Sequence, residues 1–409
     1  MIIRLKTWAE RTARRESGVA LIIVLMVIVA FALLVAGMTT SLEVETRLAR
    51  NFTRDRTLEW HCYSGMELAR YLLAQQIKVS NANKQFDALN QRWAGGPMGY
   101  DEPFSFINTT NTAFGDSPTN NTVLDLIYPP EDRVEWEEEN EVMIEDSTLR
   151  CEVVIRDNER KYNINWAAKE REILLKACEM IGLADLLERL QVADSIMDWV
   201  DPNDDSRING ADGLVYSQNG IQVKNGPIDR IEELLMVEYI RQRPEMFWGN
   251  GYQVENGPGE PLVWEHGDGV EDDNSFPFGL RRLFTAMSSG RINVNTAPEE
   301  VLRLFLEGHG IDQLDAAARI VDYRDGDDNL DGTVDDKPFR QAGEIVGFLG
   351  LNQQGLSQFR GIASQRLSVR SSMFEVEVTA EEDGRQKTLV GLLYRDGQGT
   401  VTLLSVYWK

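Results

Sequence analysis

Cysteine and histidine are both scarce in this sequence, which carries three of each among 409 residues. They form neither a C-x-x-C pair nor a cluster, so the chain has little material for a zinc site or a Ser-His-Asp triad. No glycine-rich phosphate loop and no paired nucleophile and base stands out either. We therefore predict a protein that is not an enzyme and has no small-molecule substrate. A hydrolase that relies on a few carboxylates is the weaker alternative.

Positive charge is also in short supply, because 42 Lys and Arg face 66 Asp and Glu, a formal net charge of −24. Contacts to phosphate need Lys and Arg, so we predict that nucleic acid is not a partner. The acidic excess instead favours solubility and the binding of divalent cations.

One long uncharged stretch is present, from Ser17 to Leu42. Its apolar centre, Val19–Met38, has 20 residues, about the number needed to cross a bilayer. Residues 1–18 hold five Lys or Arg against two Glu, and a positive flank stays in the cytoplasm. We therefore expect the acidic body on the other side of the membrane. A secretory signal peptide fits less well, because the run is long and no A-x-A-like site interrupts it. A plain signal anchor remains an alternative.

The helical pattern continues beyond the membrane segment. Apolar residues recur at helical spacing from Val44 to Phe52 and again from Leu58 to Ile77. This pattern predicts one helix from Val19 to about Val79. Two helices broken near Asn51 or Gly65 are the alternative.

After this helix the hydrophobic period changes twice. Short strand patterns come first, at 142–145, 151–155 and 161–166. Helical patterns then dominate from Ala167 to about Phe348, and alternating strands joined by turn signals return from Ser368 onward. We predict an α+β fold in which early and late strands share an antiparallel sheet packed on the N-terminal helix, with a large helical domain inserted between them. Two consecutive domains are the alternative, although the early strands alone are too few to stand unpaired.

An acidic loop follows the helical pattern that ends near Trp199. Asp201, Asn203 and Asp205 stand at alternate positions, which turns three oxygen ligands toward one point, as Ca²⁺ prefers. Ser206 and Asp212 replace the Gly and Glu of an EF-hand, so this loop is not one. The candidate ligands are Asp198, Asp201, Asn203, Asp205, the backbone carbonyl of Arg207, Asn209 and Asp212. A solvated acidic loop is the alternative.

A second acidic loop matches a D-x-N-x-D-G-x-x-D calcium loop more closely. Its candidate ligands are Asp327, Asn329, Asp331, Thr333 and Asp335. Pro338 at the twelfth position cannot ligate, and Asp336 or Asp325 can take its place. The two loops together predict one or two bound Ca²⁺ ions.

An extracytoplasmic body permits a disulfide. Among Cys62, Cys151 and Cys178, we expect Cys151 and Cys178 to pair. The odd number leaves at least one thiol free or paired between chains.

The leader resembles that of type IV pilin-like proteins. Arg14-Arg15-Glu16-Ser17-Gly18 directly precedes the apolar run, and in that family a prepilin peptidase cuts after the glycine and methylates the new N-terminus. The resemblance implies cleavage between Gly18 and Val19. Most of these proteins carry glutamate at the fifth mature position, which here is Ile23. A carboxylate in the hydrocarbon core is costly unless paired, so its absence suits a subunit with no neighbour above it.

Further motifs resemble the protein K family of type II secretion systems, in which the missing glutamate is typical. These motifs are Asp198-Trp199-Val200-Asp201, Pro227–Leu235, Arg291–Pro298 and, more weakly, Lys161–Asn165. The resemblance implies a pilin-like fold with a large α-helical insertion that binds calcium. The implied segments are the leader 1–18, a transmembrane helix 19–42, the rest of the helix with an irregular region and first strands 43–166, the inserted domain 167–350, and final strands 351–409.

The resemblance also implies a function. The chain would be a minor pseudopilin at the tip of the type II secretion pseudopilus, initiating or capping its assembly for export of folded proteins. It would sit in the bacterial inner membrane by a single pass, with its body in the periplasm. Its partners would be minor pseudopilins I and J, other pseudopilus subunits and the prepilin peptidase. A minor type IV pilin-like protein for adhesion or DNA uptake is the alternative.

Residues Ile292–Leu302, with Gly310 and Ala317–Tyr323, also resemble a helix-hairpin-helix DNA-binding repeat. From Arg291 to Gly350, however, six Lys or Arg face 13 Asp or Glu. Repulsion of DNA should prevail at this charge. We interpret the motif as helical geometry used for protein docking.

Overall fold

The computed structural model describes residues 2–79, 86–96, 150–211, 213–249, 276–311, 313, 315–351, 353–382 and 384–409. It contains two compact units, Met1–His61 and Cys62–Lys409. The strand predicted at 142–145 and the candidate ligand Asp212 lie outside the described residues.

The first element is one long helix, α1, at Ile2–Val79. The helix predicted from Val19 to about Val79 is therefore confirmed, and the alternative of a break near Asn51 or Gly65 is wrong. Its part Ala20–Ile77 is long and apolar enough to cross a membrane, and the most apolar window of that part is fully exposed. Within the first unit, side chains such as Leu21 and Ile28 are more than half exposed. This exposed apolar surface fits a helix that lies in lipid.

The second unit adds the remaining elements in chain order. The strands are β1 Arg150–Asp157, β2 Tyr162–Asn163, β3 Phe284–Thr285, β4 Ile292–Asn293, β5 Leu367–Ser368, β6 Met373–Glu382, β7 Arg385–Arg395 and β8 Val401–Trp408. The helices are α2 Ile164–Ala167, α3 Arg171–Met180, α4 Leu186–Val200, α5 Gly213–Gln218, α6 Glu238–Gln242, α7 Glu245–Trp248, α8 Leu280–Leu283, α9 Glu299–Gly308, α10 Ala316–Asp325 and α11 Gln353–Arg366. Short 3-10 segments occur at Arg92–Ala94, Asn158–Arg160, Ile231–Met236 and Ala342–Phe348.

A four-stranded antiparallel sheet in the order β1-β6-β7-β8 joins the two ends of this unit. In its register Cys151 lies opposite Ala380 and Asp157 lies opposite Phe374. The strand before the helical block thus pairs with the first long strand after it. This pairing confirms that early and late strands share one sheet, so the alternative of two consecutive domains is wrong.

The end of α1 packs closely on this sheet. A Cβ on Gly65 would lie 2.5 Å from Val378 Cγ1 and 3.0 Å from Val153 Cγ2, so only glycine allows the approach without a shift. At the next helix position, the side chain of Met66 packs against Gly391 of β7, where an added Cβ would lie 2.5 Å from Met66 Cε. Helix residues Ala69 and Leu73 are fully buried, so α1 supplies one side of the sheet's core.

The helical block has a hydrophobic core of its own. This core runs from Tyr162 to Leu367 and includes Trp199, Phe247, Phe284 and Phe305. Burying this many apolar side chains supplies the main driving force for folding of the block. The block therefore lies in the chain between β1 and β6, within the second compact unit.

Two local predictions differ from the structure. The strand predicted at 161–166 is only Tyr162–Asn163, and it pairs in parallel with Phe284–Thr285 outside the four-stranded sheet. It stops because the Asn163 side chain accepts hydrogen bonds from the backbone of Asn165 and Trp166, which caps α2. In the segment 351–409, predicted as strands, helix α11 precedes them. Glycines at 355 and 361 obscured the helical spacing of buried Phe359 and Ala363.

Candidate functional site

The N-terminal part of α1 carries the predicted processing site. Gly18 and Val19 lie within the helix, and the Ile23 side chain is 57% exposed. The first acidic residue after the uncharged run is Glu43, which pairs with Arg47 at 2.6 Å on the exposed helix surface. The helix is therefore uncharged from Ser17 to Leu42, and the first charge after this run lies at the predicted membrane boundary.

The first acidic loop begins at the end of α4, where Asp194 and Asp198 are both buried. The Arg207 guanidinium donates to Asp198 Oδ1 at 2.5 Å and to Asp201 Oδ2 at 2.8 Å. Its backbone N–H also donates to Asp198 Oδ2 at 3.1 Å. Burial raises the pKa of Asp198, and the bonds from Arg207 oppose that rise. The loop thus folds back onto α4 through one arginine held by two carboxylates.

Two more contacts fix this loop. Asn209 donates to Asp194 Oδ2 at 3.2 Å, and Arg171 donates to the same oxygen at 2.7 Å. A Cβ on Gly210 would lie 1.8 Å from Asp198 Oδ2, so this position requires glycine. Asp194 was not predicted as a site residue. It lies four positions before Asp198, a spacing that places both carboxylates on the same face of the helix and could have indicated its role.

The predicted ligands of this loop are only partly brought together. The carboxylates of Asp198 and Asp201 both contact Arg207, but they bind its guanidinium group and do not gather around its carbonyl oxygen. Asp201 and Asn203 each accept from the backbone two residues ahead, at Asn203 and Asp205. These short turns explain the alternate spacing of oxygen-bearing side chains without a ligand.

The second acidic loop connects α10 to the 3-10 segment Ala342–Phe348. Asp335 Oδ2 accepts from the backbone of Asp327 at 2.6 Å and of Asp328 at 3.2 Å. The Thr333 hydroxyl, followed by those backbone amides, lowers the pKa of the Asp335 carboxyl to about 2. Asp327 itself pairs with Lys337 at 2.7 Å, and Asn329 takes the left-handed φ of 55° that Asn tolerates.

Three carboxylate oxygens converge on the Thr333 hydroxyl. Asp335 Oδ1 lies 2.8 Å from Thr333 Oγ1, Asp336 Oδ1 lies 3.1 Å away and Asp328 Oδ1 lies 3.4 Å away. A hydroxyl has one hydrogen to donate, so it can satisfy one of these oxygens at a time. Burial raises the pKa of Asp336. The arrangement concentrates negative oxygens at one point, which is the chemistry that Ca²⁺ requires.

The donor set of the second loop therefore fits calcium better than that of the first. Of the predicted ligands, Thr333 and Asp335 lie at this convergence, whereas Asp327 pairs with Lys337. Burial raises the pKa of Asp331, and the nearby Arg324 opposes that rise. Asp328 and Asp336 join it instead. Within the part of the chain that the structure describes, no group of three Asp, Glu, His or Cys is arranged as a finished metal site. Calcium binding stays a prediction.

The predicted disulfide partners lie in different cores. Cys178 is buried in the helical core on α3, whereas Cys151 is buried on β1 of the four-stranded sheet. The structure carries Cys62, Cys151 and Cys178 all as thiols, and Cys151 is not part of the helical core that holds Cys178. Burial raises the pKa of each thiol to about 12.

Two asparagines clamp distant loops inside the helical domain. Asn295 donates to the carbonyl of Phe339 at 3.0 Å and accepts from its N–H at 2.8 Å. Asn165 does the same with Ile228, donating at 2.9 Å and accepting at 2.7 Å. Each side-chain amide therefore pairs with both the N–H and the carbonyl of one loop residue, as a backbone partner would.

These clamps belong to an internal repeat that the sequence analysis missed. Each copy runs from an N-x-N motif through a pair of helices (α3 and α4, or α9 and α10), an acidic loop and a Pro-containing segment clamped by the second Asn. The first copy also has the short helix α2 at its motif. The hairpin between the helices is also shared, since Gly182 and Gly310 both have positive φ. Leu183 N–H bonds Cys178 O, and Ile311 N–H bonds Leu306 O in the same way. The two predicted calcium loops thus occupy equivalent places.

A buried polar cluster joins the helical domain to the sheet. Asp157 at the end of β1 accepts from Thr296 and Ser371 hydroxyls, both at 2.5 Å. Asn293 donates to Ser371 Oγ at 2.8 Å and to the carbonyl of Asp87 at 3.1 Å. Burial raises the pKa of Asp157, and the two hydroxyls oppose the rise.

Two charged neighbours complete this cluster. Arg395 of β7 pairs with Asp87 at 2.5 Å, with both side chains buried. Glu159 accepts from the Ser372 hydroxyl at 2.6 Å and from its N–H at 3.1 Å. Burial, with the nearby Asp157, raises the pKa of Glu159 to about 7. The cluster ties both chain connections of the inserted domain to the sheet.

No protein-family model and no curated protein matches this sequence. Among solved structures, a chain of the GspK-GspI-GspJ complex from the type 2 secretion system of enterotoxigenic Escherichia coli is similar to it. The TM-score is 0.52 at 14% identity, and the match covers 88% of this chain and 99% of that chain. The likeness concerns the fold. It confirms the predicted α+β fold class, with a long N-terminal helix, an antiparallel sheet and inserted helices.

Proposed function

We propose that the chain is a minor pseudopilin of a type II secretion system. It would stand at the tip of the pseudopilus and initiate or cap its assembly, which drives export of folded proteins across the outer membrane. The observation that carries this proposal is the fold likeness to a chain of the GspK-GspI-GspJ complex. It is supported by a leader that ends in Gly18 before an apolar, exposed helix.

The proposal includes processing and location. Prepilin peptidase cleaves after Gly18 and methylates Val19, and the helix then holds the chain in the bacterial inner membrane. The basic leader supports a body in the periplasm, because positive flanks stay cytoplasmic. Ile23 supports the tip position, since a subunit with no neighbour above it has no amine for a carboxylate to meet.

Its partners in this proposal are minor pseudopilins I and J. Co-expression of the tagged full chain with its two neighbouring prepilin-like chains, followed by detergent extraction and affinity purification, tests the proposal. We expect a stable complex of three chains. Purification of the tagged chain alone, with DNA or an adhesion ligand retained, would instead indicate a minor type IV pilin-like protein.

We further propose that the second acidic loop binds Ca²⁺ and that the first binds a second ion less tightly. The convergence of three carboxylate oxygens on Thr333 supports the second loop. In the first loop, Arg207 must release Asp198 and Asp201 before an ion can bind, which weakens that site.

Calorimetric titration of the purified full chain with Ca²⁺ tests this assignment. Asp335→Asn should abolish the tighter binding event, because it removes one negative charge from the convergence. Asp396→Asn is the matched control, since Asp396 also accepts from backbone amides in a turn but lies outside both loops. Absence of heat beyond dilution, with a melting temperature unchanged by EDTA, would contradict the assignment.

A further inference from the structure

Two of the three cysteines lie on facing surfaces of the sheet and α1. Cys62 of α1 is fully buried, and Cys151 of β1 is 8% exposed. The Cys62 thiol donates to the carbonyl of Lys387 at 3.4 Å. Lys387 lies opposite Ala380, and Ala380 lies opposite Cys151. Cys151 therefore belongs to the same row of residues across the sheet that Cys62 contacts.

The packing one helical turn away supports this placement. Gly65 sits so close to the sheet that an added Cβ would touch Val378 and Val153. Val153 is two residues from Cys151, so both side chains point to the same face of the sheet. Cys62 is three residues from Gly65, so both lie on the same side of α1. The two thiols also interact electrostatically. Burial is the main cause that raises the pKa of Cys151, and the nearby Cys62 is the second.

We propose that Cys62 and Cys151 form a disulfide that ties α1 to the first strand of the sheet. A disulfide needs the two Cα atoms within about 7 Å and Cβ atoms facing each other, which a helix packed directly on a strand can provide. This pairing replaces the Cys151–Cys178 pair expected from the sequence. It leaves Cys178 as a buried thiol in the helical core.

The oxidation balances with a disulfide as oxidant. Each thiol loses one proton, the two sulfur atoms together give up two electrons, and one S–S bond forms. The electrons and protons reduce the disulfide of a periplasmic thiol oxidase, or glutathione disulfide, to two thiols. The periplasmic location comes from the proposed function, on which the step in the cell rests.

The buried thiols also indicate when the bond forms. In the packed structure Cys62 is fully buried and Cys151 is 8% exposed, so an oxidising disulfide has little access to either sulfur. The attacking species is a thiolate, and burial, which raises the pKa of Cys151 to about 12, also disfavours it there. The exchange must therefore precede the closing of α1 onto the sheet. Once formed, the bond links residues 89 positions apart in the sequence, and a loop of this length gives a large stabilisation.

Peptide mapping of the full chain in detergent tests the pairing. In one arm the chain is isolated from membranes with its thiols trapped by an alkylating agent. In the other it is reduced and unfolded in urea, and then refolded in a buffer of reduced and oxidised glutathione. We expect a peptide that links Cys62 to Cys151 in both arms, with Cys178 alkylated. The Cys178→Ser variant should give the same linked peptide.

Alkylation of both Cys62 and Cys151 in the glutathione arm, or a link from either to Cys178, would overturn the pairing. A link in the glutathione arm alone would support the pairing and contradict the periplasmic location. Cys62→Ser should lower the melting temperature by about 6 °C, and Cys62→Ser with Cys151→Ser should lower it no further. Additive losses would indicate two independent packing effects and count against the bond.

Discussion

Single polar side chains hold the inserted domain together and attach it to the sheet. Asn165 and Asn295 each satisfy both the N–H and the carbonyl of one loop residue. Asp157, Asn293 and Ser371 meet where the domain joins the sheet. Because unpaired buried polar groups cost about 1–3 kcal/mol each, these few residues carry more stability than their number suggests.

Replacing Asn295 should be costly. Asn295→Ala leaves the buried N–H and carbonyl of Phe339 without partners, and we expect the free energy of unfolding to fall by about 3 kcal/mol. Asn165→Ala should cost less, since its bonds to Ile228 are only part-buried. Urea unfolding followed by tryptophan fluorescence measures both. Exposed Asn219→Ala is the control, and equal losses in all three variants would contradict the clamp.

The Glu159 carboxyl should make stability depend on pH. Its pKa in the folded state is about 7, against 4.5 for an unperturbed side chain. The folded state thus binds more protons than the unfolded one between these values, so stability falls as pH rises through this window and is lowest above pH 7. The raised pKa corresponds to about 3 kcal/mol.

Glu159→Gln removes this titration and keeps an oxygen that can accept from Ser372. We expect the variant and the parent to have similar stability near pH 4, and the variant to be more stable by about 3 kcal/mol at pH 8. Urea unfolding at several pH values measures the difference. If the two stability curves run parallel across this range, Glu159 is ionised in the folded state and the account of the cluster is wrong.

At the level of elements, the closest approach is that of α1 to the sheet. Gly65→Ala gains about 1 kcal/mol of helix propensity but forces a Cβ to 2.5 Å from Val378 Cγ1. Overpacking of this kind costs about 1–3 kcal/mol, so we expect a net loss of about 1 kcal/mol. Gly361→Ala in α11 is the matched control, because nothing lies within 4 Å of its added Cβ. It should be stabilising by roughly 0.5–1 kcal/mol, and a gain in both variants would contradict the tight packing.

Most elements could be predicted because they carry a strong period. The apolar faces of α1, α3, α4 and α9 repeat at helical spacing, and the strands after Ser368 alternate cleanly. Strand β2 and helix α11 could not be placed in the same way. Asn163 ends β2 by capping the next helix, and this depends on a contact that the strand pattern does not contain.

The candidate site was predictable only in part. The two acidic loops were located from the spacing of their Asp and Asn residues, but the contacts within them were not. In the first loop, Arg207 contributes its guanidinium group and not the predicted carbonyl oxygen. In the second loop, Asp328 and Asp336 lie near the Thr333 hydroxyl, where Asp327 and Asp331 were predicted. The contacts of each carboxylate and carbonyl oxygen in these loops depend on the backbone conformation, which residue spacing alone does not give. The repeated N-x-N motif was the signal that could have shown the two loops to be equivalent.

At the scale of the whole molecule, the apolar side chain at position 23 provides a test of the proposed tip position. Ile23→Glu places a carboxylate in the hydrocarbon core, which costs about 2.5–3.5 kcal/mol without a partner. If the chain stands at the tip, we expect a severalfold loss of pseudopilus assembly and exoprotein secretion. Ile23→Leu is the control and should secrete normally. Wild-type secretion by Ile23→Glu, at equal protein level, would remove the argument for a terminal position.

The proposed function requires that the chain is processed into a membrane-held pseudopilin. Intact-mass spectrometry of the chain extracted from native membranes tests it most directly. We predict a mass that corresponds to loss of residues 1–18 and the gain of one methyl group on Val19. A chain that keeps its leader, or one cut beyond Met38 so that the body is released from the membrane, would contradict the account.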